Sequence, residues 1–259
     1  MMHILFSLMT ISFFVLGAII ASFVGVLTAR MNTGTSFLTG RSHCDACDAL
    51  LPPFSLVPVL SYIFSGGRAH CCHARLSPLS PLTELLLGGL FALSYLQLGL
   101  SSTLVGMLFS LSLLLGLVLY DLTHQILPTS LLGAFILVSA LTRFLLASSW
   151  NDFLSSVFTA LLIAASLLVI HFLSRGRAMG FADAPFAFAL ALLVGHELAL
   201  SGFVFSFWIG AVVGIFILFR RPVGSRMGVE VPFAPFLAAG FLLALFTQWN
   251  LFTLIAGSP

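Results

Sequence analysis

The chain contains no lysine, and charged residues of all kinds make up only 7% of its 259 residues. Soluble globular domains carry about 25% charged residues, so this composition excludes an ordinary soluble domain. Hydrophobic residues instead make up 60% of the chain, and its mean hydropathy is +1.17. The sequence therefore predicts an all-α protein that crosses a membrane several times.

Apolar segments of the length that a transmembrane helix needs, about 17 to 25 residues, recur along the whole chain. Eight are predicted: 4–28, 82–99, 103–120, 131–147, 153–173, 185–200, 203–219 and 233–255. The boundary between the sixth and seventh is placed at Ser201-Gly202, where two short runs can also be read as one long helix. The first segment has no basic residues before it and Arg30 after it, which favours an uncleaved anchor with its N-terminus outside.

The orientation of the chain in the membrane is predicted from its arginines alone, because the chain has no lysine. With eight segments, the loops after the first, fifth and seventh lie on one side of the membrane. They hold Arg30, Arg41, Arg68, Arg75, Arg175, Arg177, Arg220, Arg221 and Arg226. Only Arg143 falls on the other side, so the positive-inside rule places the three loops in the cytoplasm and both termini outside.

All the cysteines lie in the polar segment 32–81. They are Cys44, Cys47, Cys71 and Cys72. In a reducing cytoplasm, a Cys-x-x-Cys pair followed by further cysteines about two dozen residues later is typical of a zinc ribbon. Neighbouring side chains on one strand point in opposite directions, so two ligand sets remain open. One set is the four cysteines, and the other is Cys44, Cys47 and Cys72 with His70 or His73.

Two aspartates lie at the edges of apolar segments, where an acid is costly and calls for an explanation. Asp121 ends the third segment and Asp183 precedes the sixth, so both are expected at the cytoplasmic edge of the membrane. Two carboxylates close together share a proton, and one then acts as base and the other as acid toward a bound water. That chemistry hydrolyses peptide bonds. A proton-coupled transporter is the alternative, but acids at the edge and the absence of a repeat of broken helices disfavour it.

Two other ionisable residues have structural and functional interpretations of comparable weight. Glu84 lies in the first turn of the second segment, where the helix dipole favours an acid. His171 lies near the cytoplasmic end of the fifth segment, and it is interpreted either as a satisfied histidine or as a catalytic one.

Several motifs resemble those of the type IV prepilin leader peptidases, aspartic proteases of the bacterial inner membrane. Gly180-Phe181-Ala182-Asp183 resembles the Gly-x-Gly-Asp motif of that family, with Ala182 in place of the second glycine. Asp121 with the downstream Leu127-Pro128 resembles the first catalytic aspartate and its proline. The segment 232–236, Pro-Phe-Ala-Pro-Phe, is similar to a Pro-Phe-Gly-Pro-Phe motif. The cysteine loop is similar to the knuckle domain of the family, although Ala69 stands where its second knuckle begins.

The resemblance implies that Asp121 and Asp183 cut the short basic leader from prepilins or pseudopilins on the cytoplasmic side of the membrane. It also implies N-methylation of the new terminus with S-adenosylmethionine, in which Glu84 is a candidate participant, and a bound Zn²⁺. Gly180, Ala182 and Pro128 support the catalytic motifs. The expected division is an anchor at 1–30, a cysteine domain at 31–81 and a peptidase domain at 82–259.

The expected partners are prepilin substrates and the lipid bilayer, with no nucleic acid. The nearest alternatives are other membrane aspartic proteases of the preflagellin-peptidase or presenilin-like type.

Overall fold

The structure is a computed structural model, and it describes residues 2–31, 44, 46–47, 49–50, 52, 57–177, 179–220 and 232–256. Within these residues the regular elements are α-helices, and Arg68 and Arg75 form an isolated antiparallel bridge. The chain divides into two compact units, Met1–Leu119 and Tyr120–Pro259. The prediction of an all-α fold is confirmed. Arg41, Arg221 and Arg226, used to predict orientation, lie outside the described residues.

The described helices follow one another in a simple order. They are α1 (Met2–Arg30), α2 (Leu60–Phe64), α3 (Leu79–Leu98), α4 (Ser102–His124), α5 (Thr129–Leu146), α6 (Trp150–Leu173), α7 (Asp183–Val194), α8 (His196–Arg220), α9 (Ala234–Thr247) and α10 (Leu251–Ala256).

Six of these helices, α1, α3, α4, α5, α6 and α8, are long and apolar enough to cross a membrane, while α7 and α9 are shorter apolar helices. Each of the eight predicted segments corresponds to one of these helices, but the prediction of eight spanning helices is wrong for α7 and α9. At 1.5 Å per residue, the 12 residues of α7 extend about 18 Å, less than the roughly 30 Å of a bilayer core. The protein is therefore a multi-pass membrane protein in which two helices fall short of a full crossing.

The predicted break at Ser201-Gly202 is wrong, because the chain breaks earlier, at Gly195. Gly195 has φ +88°, a conformation that glycine adopts without strain, and it separates α7 from α8. Ser201 and Gly202 instead lie inside α8. A Cβ at Gly202 would come within 2.9 Å of the Phe241 ring, so this glycine allows close packing of α8 on α9 rather than a turn.

The eighth predicted segment is also divided. Its first part is α9, which ends at Thr247 because Gln248 adopts a left-handed conformation with φ 57°. The short helix α10 follows from Leu251.

The centre of the second unit is α7, which contacts α5, α6, α8 and α9. Nearly all its side chains are buried, including Phe186 and Leu190, which are fully inaccessible to solvent. A helix that is apolar on every side is stable only when other helices surround it. This arrangement fixes the position of Asp183, the first residue of α7.

The opposite end of these helices is held by an ionic cluster that the sequence did not reveal. The Asp152 carboxylate accepts hydrogen bonds from the Arg143 guanidinium and from the backbone N–H of Ser148, the latter at 2.9 Å. The Nδ1 atom of His196 lies 3.3 Å from the same carboxylate. The cluster therefore ties the end of α5 to the beginnings of α6 and α8.

Candidate active site

Asp121 and Asp183 line one cleft of about 710 Å³ in the second unit. Its walls come from the end of α4, the link to α5, the turn before α7 and the residues before α9. Both aspartates are largely buried, with 6% and 9% of their surface exposed. The two acids that were predicted to meet therefore share a single cleft.

Asp183 is held by the tight turn that precedes α7. Its Oδ2 accepts a hydrogen bond from the backbone N–H of Gly180 at 2.9 Å, while its own N–H donates to the Gly180 carbonyl at 3.3 Å. Ala182 has φ −70° and ψ −17°, right-handed values that any residue adopts. Alanine at the position of the second motif glycine is therefore compatible with this turn.

Asp121 is held by the first residue of α9. The helix α4 continues to His124, so Asp121 lies inside its last turn rather than ending the helix as predicted. The backbone N–H of Ala234 donates to the Asp121 carboxylate. The Oδ2 atom of Asp121 is buried and has no hydrogen-bond partner among the described residues.

The two carboxylates occupy similar electrostatic positions. Asp183 begins α7, and Asp121 binds the first N–H of α9, so each lies at the positive end of a short helix. They are also close enough for the charge of one to repel the charge of the other. Two such groups are best accommodated when they hold one proton between them.

Among the described residues, the cleft offers apolar surface and one cation around the acids. Ile126 and Phe181 line it and are 59% and 61% exposed. Arg177 and Leu127 also line it. Pro128 is the extended residue immediately before α5, so it turns the chain from the cleft into that helix. The cleft therefore presents exposed apolar side chains beside two acids.

The cysteines form a second cluster, in the first unit. The thiol sulfurs of Cys44, Cys47, Cys71 and Cys72 lie within 4.8 Å of one another, and this group could hold a metal ion. The Sγ–Sγ distances are 3.7 Å for Cys44 and Cys72, 3.9 Å for Cys71 and Cys72, and 3.3 Å for Cys47 and Cys71. Tetrahedral Zn²⁺ with Zn–S bonds of about 2.3 Å places its sulfurs about 3.8 Å apart. The four thiols therefore fit zinc, and His70 and His73 are not part of the group.

The backbone shows why Cys71 is needed in this cluster. The N–H of Cys44 donates to the carbonyl of Ala49, and the N–H of Ala69 donates in the same way to the carbonyl of Ala74, both at 2.9 Å. Ala69 therefore occupies the place in its loop that Cys44 occupies in the other, but it has no thiol. The adjacent Cys71 brings the fourth sulfur to the cluster.

Electrostatics around the first knuckle favour a thiolate. The backbone N–H of Ala46, the neighbouring thiol of Cys71 and the N–H of Cys47 donate toward Cys44, and together they lower the pKa of its thiol to about 7. Thiolates are the form in which cysteine binds metal.

Glu84, the candidate participant in methylation, is only 5% exposed. Its Oε2 accepts the backbone N–H of Val59 at 2.7 Å, and its Oε1 accepts the Ser80 hydroxyl at 3.3 Å. Val59 has φ 60°, an unfavourable conformation for a β-branched residue, and Glu84 stabilises it. These contacts fix the chain before α2.

Paired acids in a cleft of a multi-pass helical protein define a class of membrane protein that includes intramembrane aspartic proteases. Comparison with known proteins is more specific. Residues 15–98 match the Bacterial Peptidase A24 N-terminal domain, and residues 107–215 match the Type IV leader peptidase family.

Similar proteins from several bacteria point to the same family. The chain is 30% identical to the prepilin leader peptidase/N-methyltransferase of Bacillus subtilis, over 89% of this chain and 91% of the relative. The proteins of the same name from Myxococcus xanthus and Pseudomonas aeruginosa are 30% and 28% identical, over 82% and 79% of this chain and 64% and 71% of their own lengths. No solved structure gives a significant match. The chain belongs to the type IV leader peptidase family.

Proposed function

We propose that this protein is an inner-membrane aspartic endopeptidase that removes the basic leader of type IV prepilins or pseudopilins. The observation that carries the proposal is the pair of buried carboxylates, Asp121 and Asp183, on one cleft. Membership in the type IV leader peptidase family supports it, as do the names of the similar proteins.

Each aspartate has a backbone donor, and the second oxygen of Asp121 has no hydrogen-bond partner in the described part of the chain, which leaves it available for the reaction. The ionised carboxylate takes a proton from a water molecule as the water oxygen attacks the scissile carbonyl carbon, and the protonated carboxyl group gives its proton to the carbonyl oxygen. The tetrahedral intermediate then collapses: the carboxyl group that holds the proton from water gives it to the leaving nitrogen as the C–N bond breaks, and the other carboxylate takes a proton from a hydroxyl group of the intermediate. The cycle ends with one proton again shared by the pair.

Charge supports a cytoplasmic active site. Arg175 and Arg177 follow the end of α6, and Arg220 is the last residue of α8. Asp183 begins α7, on the same side of the helices as these arginines. The positive-inside rule assigns that side to the cytoplasm, where a positively charged leader also remains.

The test is cleavage of a short prepilin by the full-length protein in detergent. We expect Asp121→Asn and Asp183→Asn each to lower kcat by at least about a thousandfold, because an amide cannot share the proton. Glu197→Gln, the same acid-to-amide change at an exposed position in α8, should leave the rate unchanged. Cleavage by both aspartate variants at the wild-type rate would rule out the pair, and proton flux without cleavage would favour the transporter.

We also propose that the cysteine cluster binds Zn²⁺ and that Cys71 replaces the thiol missing at Ala69. Metal analysis of the purified protein should find about one zinc per chain, as expected for a tetrahedral site. Cys71→Ser should lose the metal, whereas combining Ala69→Cys with Cys71→Ala should restore it, because the thiol then returns to the regular position. Full zinc content in Cys71→Ser would show that Cys71 is not a ligand.

Methylation of the new N-terminus is proposed from the names of the relatives. Participation of Glu84 stays a prediction, as does the division into an anchor at 1–30, a cysteine domain at 31–81 and a peptidase domain at 82–259. If Glu84 takes part, Glu84→Gln should abolish methylation and leave leader cleavage intact; loss of both reactions would point to a structural role at Val59.

A further inference from the structure

The side chain of His171, near the end of α6, lies beneath the turn that carries Asp183. Its Nδ1 is 2.8 Å from the backbone carbonyl oxygen of Met179. A carbonyl oxygen only accepts hydrogen bonds, so Nδ1 carries the proton and donates it.

The loop after α6 wraps around the imidazole ring. A Cβ at Gly176 would lie 3.4 Å from the Cε1 atom of His171, so the backbone there passes close to the Cε1 edge of the ring. The Phe181 ring meets the imidazole edge to face, with 5.8 Å between ring centroids. The ring is therefore fixed in place as well as hydrogen-bonded.

The acceptor of this bond belongs to the peptide group that binds Asp183. The carbonyl of Met179 and the N–H of Gly180 are the two polar ends of one planar peptide unit. The carbonyl accepts from His171 at 2.8 Å, and the N–H donates to Asp183 Oδ2 at 2.9 Å. A continuous chain thus runs from the imidazole through one peptide plane to the carboxylate, and such chains strengthen their members.

We propose that His171 is a positioning residue that sets the orientation of the Asp183 carboxylate through the peptide group between Met179 and Gly180. The proposal rests on the role of Asp183 in the proposed peptidase reaction. Without the imidazole donor this peptide can rotate, because Gly180 permits backbone conformations that other residues resist. Rotation would turn the Gly180 N–H away from the carboxylate, and Asp183 Oδ2 would lose this hydrogen bond.

The His171 side chain can be replaced without disturbing the end of α6. The helix is closed by backbone bonds, in which the N–H of Gly176 donates to the carbonyl of His171 at 2.8 Å and the N–H of Ser174 donates to the carbonyl of Ile170 at 2.9 Å. Replacing the imidazole leaves these bonds in place.

Two substitutions separate the hydrogen-bond donor of the imidazole from its aromatic ring. His171→Asn keeps an N–H donor close to the position of Nδ1 and loses the ring, whereas His171→Phe keeps an aromatic ring and loses the donor. We expect His171→Phe to lower kcat about ten- to a hundredfold with KM within about twofold, the loss expected for a displaced catalytic group. His171→Asn should stay within about threefold of wild type. A role in packing alone predicts the reverse order.

Hydrogen exchange at the Gly180 amide provides a readout that does not depend on activity. We expect this amide to exchange at least about tenfold faster in His171→Phe than in wild type and His171→Asn, with protection of the α7 core at Leu190 unchanged in all three. If wild type cuts prepilin and His171→Phe matches it in kcat, the positioning role is wrong while the peptidase function stands. If wild type does not cut prepilin, the proposed peptidase function is wrong. Equal exchange of the Gly180 amide in His171→Phe and His171→Asn would overturn the hydrogen-bond chain as well.

Discussion

At the scale of single residues, Gly180 and Ala182 of the Asp183 turn should respond differently to one methyl group. A Cβ at Gly180 would lie 3.3 Å from Asp183 Oδ2, while the Gly180 backbone is not in the left-handed region and accepts alanine. We expect Gly180→Ala to lower kcat about tenfold, because the carboxylate must move by a few tenths of an ångström.

The matched control is Ala182→Gly, which restores the family motif. Since the Ala182 backbone is already right-handed, the added freedom should change kcat by less than about twofold. A large gain in rate from this variant would mean that the alanine methyl group obstructs the substrate.

At the scale of elements, the break between α7 and α8 depends on Gly195. Its φ is +88°, and a Cβ there would come within 2.5 Å of an Arg143 guanidinium nitrogen. Gly195→Ala should therefore lower the free energy of unfolding by about 2 kcal/mol or more, through backbone strain and displacement of the Arg143–Asp152 pair.

The comparison is Gly214→Ala in α8, where nothing lies within 4 Å of the new methyl group. An alanine there should be neutral or stabilise the helix by up to about 1 kcal/mol. Unfolding in detergent measures both variants, and equal stability of the two would remove Gly195 as the reason for the break.

Also at this scale, the sequence predicted eight spanning segments, whereas six of the described helices are long enough to cross a membrane, and not all helix ends were predicted. Length and hydropathy locate α1 and α3 to α6 to within a few residues, because glycine, proline or polar residues interrupt the apolar runs between them. Between α7 and α8 no polar loop exists, and the sequence offers two glycines, Gly195 and Gly202. Their roles depend on tertiary contacts, since one faces a guanidinium group and the other an aromatic ring of α9.

At the scale of the whole molecule, the arginine distribution predicts the membrane topology. Phosphatase fused after Ser148, beyond α5, should be active because it lies on the outer side of the membrane. Phosphatase fused after Arg175, beyond α6, should be inactive. The reversed pattern would place the aspartates on the outer side and contradict cleavage of a leader retained in the cytoplasm.

The paired acids were predictable at this scale because the topology placed both at one membrane edge. Their hydrogen bonds were not, since the donors at Gly180 and Ala234 are backbone amides. The fourth thiol of the cysteine cluster was left open between Cys71 and two histidines, because adjacent cysteines on an extended strand point apart. The observed loop is a tight turn, which brings both sulfurs to one side.

The use of main-chain donors has a consequence for how the active site tolerates change over evolution. An amide donor persists through every substitution at its own position except proline, so a change of side chain removes the N–H group at neither Gly180 nor Ala234, although a side chain at Gly180 would crowd the Asp183 carboxylate. An insertion or deletion between Gly180 and Asp183 would remove the hydrogen bond between them at once. The reaction centre should therefore constrain the length of the turn 180–183 more strongly than the identity of residue 182.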